Sequence, residues 1–295
     1  MHFKIPALYR RHTVKKMHPI KKKTSLPYSN KKTLAVYLIL RLLVIAVMVR
    51  AAFRQDHESV FVCVLTLFLF TLPSIIQKKL QVEFPSTLEI IILLFIFAAE
   101  ILGEISSFYT LVPIWDTMLH VTNGFLCAAV GFTLVDMLNR SERFSIKLSP
   151  AFLAVVAFCF SMTVGVLWEF YEYAADIVIG VDMQKDSIVH SINSVALDPN
   201  GLNRNVRING IVGVTVHLAD GTQKRLPING YLDVGRSDTM EDLFVNFIGA
   251  LVFSVIGYFY VKNKGRGGFA SRFIPRVLGM RNQQRENGTK DVTKE

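Results

Sequence analysis

Six apolar stretches of about twenty residues or more carry few charges, at approximately 34–53, 59–77, 87–104, 117–137, 148–178 and 243–262. Roughly 20 helical residues cross a hydrocarbon layer about 30 Å thick. Lipid offers no partner to an unpaired backbone amide, so spans of this kind fold as helices. The expected fold is an all-α integral membrane protein, a six-transmembrane-helix bundle. Composition agrees, with mean hydropathy +0.37, 51% hydrophobic residues and only 19% charged, which argues against a water-soluble enzyme. The 22 phenylalanines and long aliphatic runs exclude disorder for the bulk of the chain. The fifth run is long enough to tilt or to project beyond the bilayer, and no repeat of 20–50 residues is visible.

Charge placement predicts orientation. Ten Lys and Arg lie in residues 1–32 without one acid, and nine lie in residues 262–295 against three acids. Short loops after the second and fourth runs carry Lys78, Lys79, Arg140, Arg143 and Lys147. The positive-inside rule therefore puts both termini in the cytoplasm, consistent with an even number of spans. The resulting division is a basic cytoplasmic tail at 1–33, five spans within 34–180, an extracytoplasmic cap loop at 181–237, a sixth helix at 238–262 and a second basic cytoplasmic tail at 263–295. The tails read as ligands for anionic lipid headgroups. They lack the interleaved aromatics of a nucleic-acid arm, so no nucleic-acid partner is expected. The first 33 residues also lack the order of a cleavable signal peptide.

Within the loop, Val212, Val214, Val216 and Leu218 alternate and then meet Asp220-Gly221, which predicts a β-hairpin. Fewer than sixty residues form no independent core, so the loop is expected to rest on the helix ends. Cys63, Cys127 and Cys159 sit in apolar runs without metal-ligand spacing and read as small buried hydrophobes. His190 and His217 read as loop surface, Trp115 as an interfacial anchor and Trp168 as a wall of the site described next. Glu89 and Asp136, near the inner surface, read as solvated.

Ionisable groups inside spans are costly unless paired or wet, so each is a functional candidate. Glu100 and Glu104 end the third span one turn apart, and Asp116 and His120 begin the fourth one turn apart. Glu169, Glu172 and Asp176 close the fifth, while Asp238, Asp242 and Asn246 open the sixth. All four faces lie near the same membrane surface, with Glu100, His120, Glu169 and Asn246 forming a deeper layer. The carboxylates of Glu100, Glu104, Asp116, Glu169, Glu172, Asp176 and Asp242 cannot all ionise together in a low-dielectric site without a cation or protons. With His120 and Asn246 they form a candidate metal-ligand set. Its oxygen-rich chemistry favours Mg²⁺, Mn²⁺ or Ca²⁺, and Zn²⁺ or Fe²⁺ less.

The plain alternative is helix caps and solvated ends. It suits Asp238 but not Glu169, Glu172 or Asp176, which lie where a helix dipole disfavours anions. Small residues continue the same faces, Ala250, Ser254 and Gly257 on the sixth span and Gly124 and Gly131 on the fourth, which predicts that these faces turn inward.

The strings WDTMLH at 115–120, WEFYEYAAD at 168–176, DMQKD at 182–186 and DTMEDLFVNFIGA at 238–250 together resemble the YjdF-like family of bacterial polytopic membrane proteins. A looser likeness, carried by Asp116 with His120 and by Asp242 with Asn246 and Gly249, is to VanZ-like membrane proteins. These resemblances imply a multi-pass protein of the bacterial cell membrane with a cell-envelope role at the outer leaflet. Three functions stay open on the residues: a metal-dependent envelope enzyme acting on a lipid or lipid-linked headgroup, with His120 and Glu169 as catalytic acid or base; a cation or proton transporter; and a non-catalytic envelope assembly or resistance factor. Oligomeric state is not legible.

Overall fold

The computed structural model describes residues 30–139, 148–263 and 268–277. The basic segments expected at 1–29 and 278–295, and the loop bearing Arg140, Arg143 and Lys147, lie outside the described residues. Among the described residues, five helical stretches are long and apolar enough to cross a membrane: α1 (Lys31–Phe53), His57–Leu80, α6 (Trp115–Asn139), α7 (Pro150–Ile179) and α8 (Arg236–Lys262).

Two of the expected runs are interrupted. His57–Leu80 divides into α2 (His57–Leu69) and α3 (Leu72–Leu80). Pro73 explains the break, because its ring lacks an amide and crowds the carbonyl four residues back, at Leu69. The third run divides into α4 (Ser86–Phe97) and a π-helix over Ala98–Ile105. Neither piece alone is long enough to span a bilayer, so it does not join the five. A short α5 (Phe108–Leu111) follows.

The helix ends carry ordinary capping chemistry. Asn30, Asp56 and Ser149 accept backbone amides two or three residues on, at 2.9, 3.0 and 3.2 Å. Pro150 preorganises the first turn of α7, and Gly180, with φ 77°, ends that helix in the left-handed conformation.

Packing sorts the helices into two groups. In the first, Tyr37, Leu40, Val44, Cys63, Phe70, Leu93 and Ile101 form an apolar core between α1, α2, α4 and the π-helix. In the second, α6, α7 and α8 pack against one another around Ala128, Ala129, Phe132, Leu153, Ala157, Ala250 and Phe253. Small residues allow close approach here, since a Cβ on Gly249 would lie 2.0 Å from the Val121 carbonyl oxygen. Asn246, Gly249, Ala250, Ser254 and Gly257 are buried along α8, and Gly124 and Gly131 along α6, as the inward face requires.

The segment after α8 differs from a simple tail. Ala270 and Ile274 join the second core. Phe273 stacks edge-on to Phe125 at 5.3 Å between ring centroids, and β8 (Arg276–Val277) pairs antiparallel with β1 (Val82–Glu83). Its apolar residues gain burial that a solvated tail would forgo. Glu89 and Asp136 are also buried rather than solvated; Glu89 accepts a 2.8 Å hydrogen bond from Gln77 Nε2, whose Oε1 takes the Phe84 amide. Cys63 is buried, but Cys159 is exposed on the flank of α7.

The long loop between α7 and α8 contains the expected hairpin. Strands β5 (Thr215–His217) and β6 (Gln223–Arg225) pair antiparallel with Val216 opposite Lys224. The turn closes through the Leu218 amide on the Thr222 carbonyl. Three further strand pairs, including β3 (Ser191–Ser194) with β4 (Val206–Asn209), make up the rest of the small β region and the β1–β8 contact.

Candidate functional site

The site lies among the loop-side ends of α6, α7 and α8. Asp116 and His120 stand one turn apart on α6, Glu169 and Glu172 nearly one turn apart on α7, and Asp242 projects from the second turn of α8. Among the described residues, two sets of side chains bring ligand atoms within 4.8 Å of one another: Asp116, His120 and Asp242, and Glu169, Glu172 and Asp242. Asp242 belongs to both. Asp242, Glu169, Glu172 and His120 are 3%, 4%, 7% and 8% exposed, which places four ionisable groups in the helix interior. Asp116 is partly open, its side chain 32% exposed.

The distances matter. His120 Nε2 lies 3.5 Å from Asp116 Oδ1 and 3.6 Å from Asp242 Oδ2, at or beyond the limit of a hydrogen bond. Donors about 2.1 Å from a shared cation stand roughly 3.0–3.5 Å apart, so the spacing fits ligands around an ion. Glu169 Oε2, Glu172 Oε2, Asp242 Oδ2 and Asn246 Oδ1 are buried without a hydrogen-bond partner. Buried acceptors of this kind are costly unless something satisfies them.

The surroundings fix several of these groups. Trp168 Nε1 donates to Glu172 Oε1 at 2.7 Å, so the indole holds one site ligand while its ring stays exposed on α7. Asn246, 1% exposed, sits one turn deeper than Asp242. It is wedged between Gly124 and Gly165, where an added Cβ would meet its backbone oxygen at 2.2 Å and its Nδ2 at 2.5 Å. Ser161 Oγ donates to the Gly124 carbonyl at 2.7 Å and ties α7 to α6 at the same depth.

Other candidates stand apart from the two groups. Asp176 accepts the Met183 and Gln184 amides at 2.6 and 2.9 Å, which commits both its oxygens to the loop. Asp238 likewise accepts the Lys185 amide at 2.8 Å. Glu104 is exposed and Glu100 half-buried on the π-helix, which packs on α2, α4, α5 and α6 rather than inside the trio. Between that pair and the trio lies Tyr109, close enough to interact electrostatically with Glu100, Glu104, Asp116 and Glu172. Its ring fills the space a Gly103 side chain would need, 2.3 Å from the ideal Cβ position.

Tyr109, Thr239 and Gln184 are site residues that sequence reasoning missed. Each is uncharged and of ordinary type; Thr239 lies one turn before Asp242 on α8, and the fold brings Gln184 to it. Trp115 is half-buried, packs edge-on against Phe108 at 4.8 Å and has its indole nitrogen buried. His190 and His217 are exposed in the loop, as expected.

Comparison with known proteins agrees on the membrane character. A Thermotoga maritima protein described as uncharacterized is 26% identical over 107 residues, covering 36% of this chain. The match spans about half, 53%, of that curated relative's length. No solved structure shows significant similarity to the chain. The model of the family described as "Predicted membrane protein (DUF2238)" matches residues 36–263, most of the length and all of α6, α7 and α8, and the chain belongs to that family.

Proposed function

We propose that the loop-side ends of α6, α7 and α8 hold one or two divalent cations and that this centre serves a metal-dependent enzyme of the bacterial envelope, acting on a lipid or lipid-linked headgroup. The observation that carries the reading is the pair of ligand groups sharing Asp242, with acceptor oxygens of Glu169, Glu172 and Asp242 buried and unpartnered. The set containing His120 suits Mn²⁺, Fe²⁺ or Zn²⁺, and the all-carboxylate set suits Mg²⁺, Ca²⁺ or Mn²⁺. Mn²⁺ is the ion acceptable to both.

A divalent cation supplies Lewis-acid polarisation of a phosphoryl or acyl oxygen. Of His120 and Glu169, one beside each end of the centre, the group left off the ion is the one to move a proton. In this reading α4 and the π-helix make a sixth crossing: Ser86–Ile105 is continuous, and twenty residues at about 1.5 Å each reach roughly 30 Å. The Lys/Arg bias then puts the centre at the outer leaflet, both termini in the cytoplasm and anionic headgroups against the basic tails.

Two features favour an enzyme over the alternatives. Below Asn246 the trio is filled mainly by Ala128, Ala129, Phe132, Ala157, Ala250 and Phe253, each 0% exposed, with Thr133, Asp136 and Ser254 as buried polar exceptions, so the acids gather at one end of the helices rather than at the mid-depth a transporter's site occupies. A purely structural centre satisfies its buried acceptors, and here several stand unpaired. Elemental analysis of purified protein tests the reading. Wild type is expected to carry divalent metal in stoichiometric amount and Asp242→Ala to lose it. Equal, background metal in both after incubation with Mn²⁺ would overturn the proposal.

A further inference from the structure

The connection leaving α7 is fastened across the site by carboxylates on both sides. The Met183 and Gln184 amides bind Asp176 at the end of α7, and the next amide, Lys185, binds Asp238 Oδ2 in the first turn of α8 at 2.8 Å. Three consecutive peptide groups therefore bridge the two helices that supply Glu169, Glu172 and Asp242.

Gln184 faces α8. A Cβ on Gly235 would lie 2.7 Å from the Gln184 Cβ, and Gly235 has φ 73°, so glycine is required at that crossing for both space and backbone conformation. The Gln184 side chain donates from Nε2 to Thr239 Oγ1 at 2.6 Å. The Thr239 hydroxyl so held stands one turn before Asp242 on α8, and a ligand oxygen of Asp242 lies within 4.8 Å of one on Glu169. The hydrogen-bonded chain runs from strap to hydroxyl beside Glu169, whose Oε2 is buried without a partner.

Resting on the cation-site reading above, we infer that Gln184 and Thr239 are positioning residues that orient Glu169 as a ligand, with residues 183–185 as the strap that holds them in place. Thr239 lies on the same helix as Asp242, three residues earlier, so the chain also ties the α7 ligands to the α8 ligand they share. Groups that orient a metal ligand from outside typically alter affinity about 10–100-fold when removed. Asp176 and Asp238 then have a use that needs no metal contact: they anchor the strap.

The test is Mn²⁺ binding to the purified full-length protein in detergent, read by electron paramagnetic resonance of the free ion, for wild type, Asp242→Ala, Thr239→Val, Thr239→Ser and Gln184→Ala. Thr239→Val keeps shape but removes the hydroxyl, and is expected to weaken binding about 10–100-fold. Thr239→Ser restores the hydroxyl and is expected to bind within about threefold of wild type. Gln184→Ala, on the loop and outside every helix, is expected to weaken binding in the same direction with the thermal melt unchanged. This variant keeps the inference testable if Thr239→Val fails to fold. Wild-type binding abolished by Asp242→Ala but unchanged by Thr239→Val and Gln184→Ala would overturn the positioning roles and leave the cation site standing. Absence of Mn²⁺ binding in wild type would overturn both.

Discussion

The two helix groups fill their interiors with opposite chemistry. Between α1, α2 and α4 the core is aliphatic and aromatic, from Tyr37 and Val44 to Phe70 and Leu93, and its buried polar groups are dispersed, with Thr33 in the first turn of α1 and Glu89 in the first turn of α4 held by Gln77. The buried Thr66 in that group returns its hydroxyl to its own helix at the Val62 carbonyl. The α6–α8 trio buries His120, Glu169, Glu172, Asp242 and Asn246 within a few turns of one another. A membrane bundle needs only close packing to hold together, and the first group shows this chain making such an interior. The polar interior of the trio is therefore a cost beyond what folding asks, and costs of that kind collect where function requires them.

The largest expected effect that sharpens this contrast is at Gly249. Leucine there would drive its Cβ into the backbone of α6, 2.0 Å from the Val121 oxygen and 2.9 Å from the Phe125 nitrogen. Neither atom belongs to a flexible side chain, so Gly249→Leu is expected to destabilise the trio by at least about 3 kcal/mol. Both tryptophans, Trp115 and Trp168, lie on α6 and α7, so thermal unfolding followed by indole emission reports the trio alone. An unshifted melt would mean that the trio is not the tightly closed unit described above.

The next effect separates His120 from Asp116. His120→Gln removes a buried imidazole between two carboxylates and is expected to reduce Mn²⁺ affinity by more than the roughly 100-fold upper end for outer groups. Asp116→Asn, at the open side of the cluster, keeps one carbonyl oxygen and is expected to cost about tenfold. Equilibrium binding of the two variants decides the order. A larger loss from Asp116→Asn moves the working centre outward, toward the loop.

The smallest effect lies outside the helices. Asp233 is shielded from water, which alone would raise its pKa; the Ser237 hydroxyl, the Ser187 and Ser237 amides and the Arg236 guanidinium outweigh this and hold it below the ordinary 3.8. A depressed carboxylate value stabilises the folded loop at pH above the unfolded value, and that contribution is lost as pH falls through the lower folded value. The protection factors of the Ser187 and Ser237 amides, with exchange rates divided out by the intrinsic rate at each pH, are therefore expected to hold from neutral pH to about 4 and to fall below it. Loss of protection between pH 7 and 5 would show that another group governs the loop.

The sequence made the helices, the hairpin and the inward faces legible because each is a local pattern: apolar length, alternation before Asp220-Gly221, and small residues spaced along α6 and α8. Asp116, His120, Glu169, Glu172 and Asp242 were legible for a related reason, since charge inside an apolar run stands out. Position along each helix was readable, but position around it was not. Glu104 and Asp176 stand at suitable depth, yet Glu104 is exposed on a π-helix and Asp176 is taken by backbone amides of the strap. The break at Pro73 and the change to π register at Ala98 are also beyond hydropathy, which sums apolar character without regard to hydrogen-bond register. Gln184 and Thr239 carry no charge to mark them. Their roles arise from a contact fifty-five residues apart in the chain.

Asp242 stands in both ligand groups, and this has a consequence for stoichiometry. A carboxylate has only two oxygens, so a cation drawn to the His120 side and another drawn to the Glu169 side compete for one side chain or divide it between them. Ion occupancy on the two sides is then thermodynamically linked: whatever the first does to the affinity of the second, the second does equally to the first. A Mn²⁺ titration of such a centre follows a two-step or sigmoidal isotherm rather than a single hyperbola. Substitution of this one aspartate abolishes both phases together, whereas a change at His120 or at Glu169 distorts the curve while leaving one of them in place.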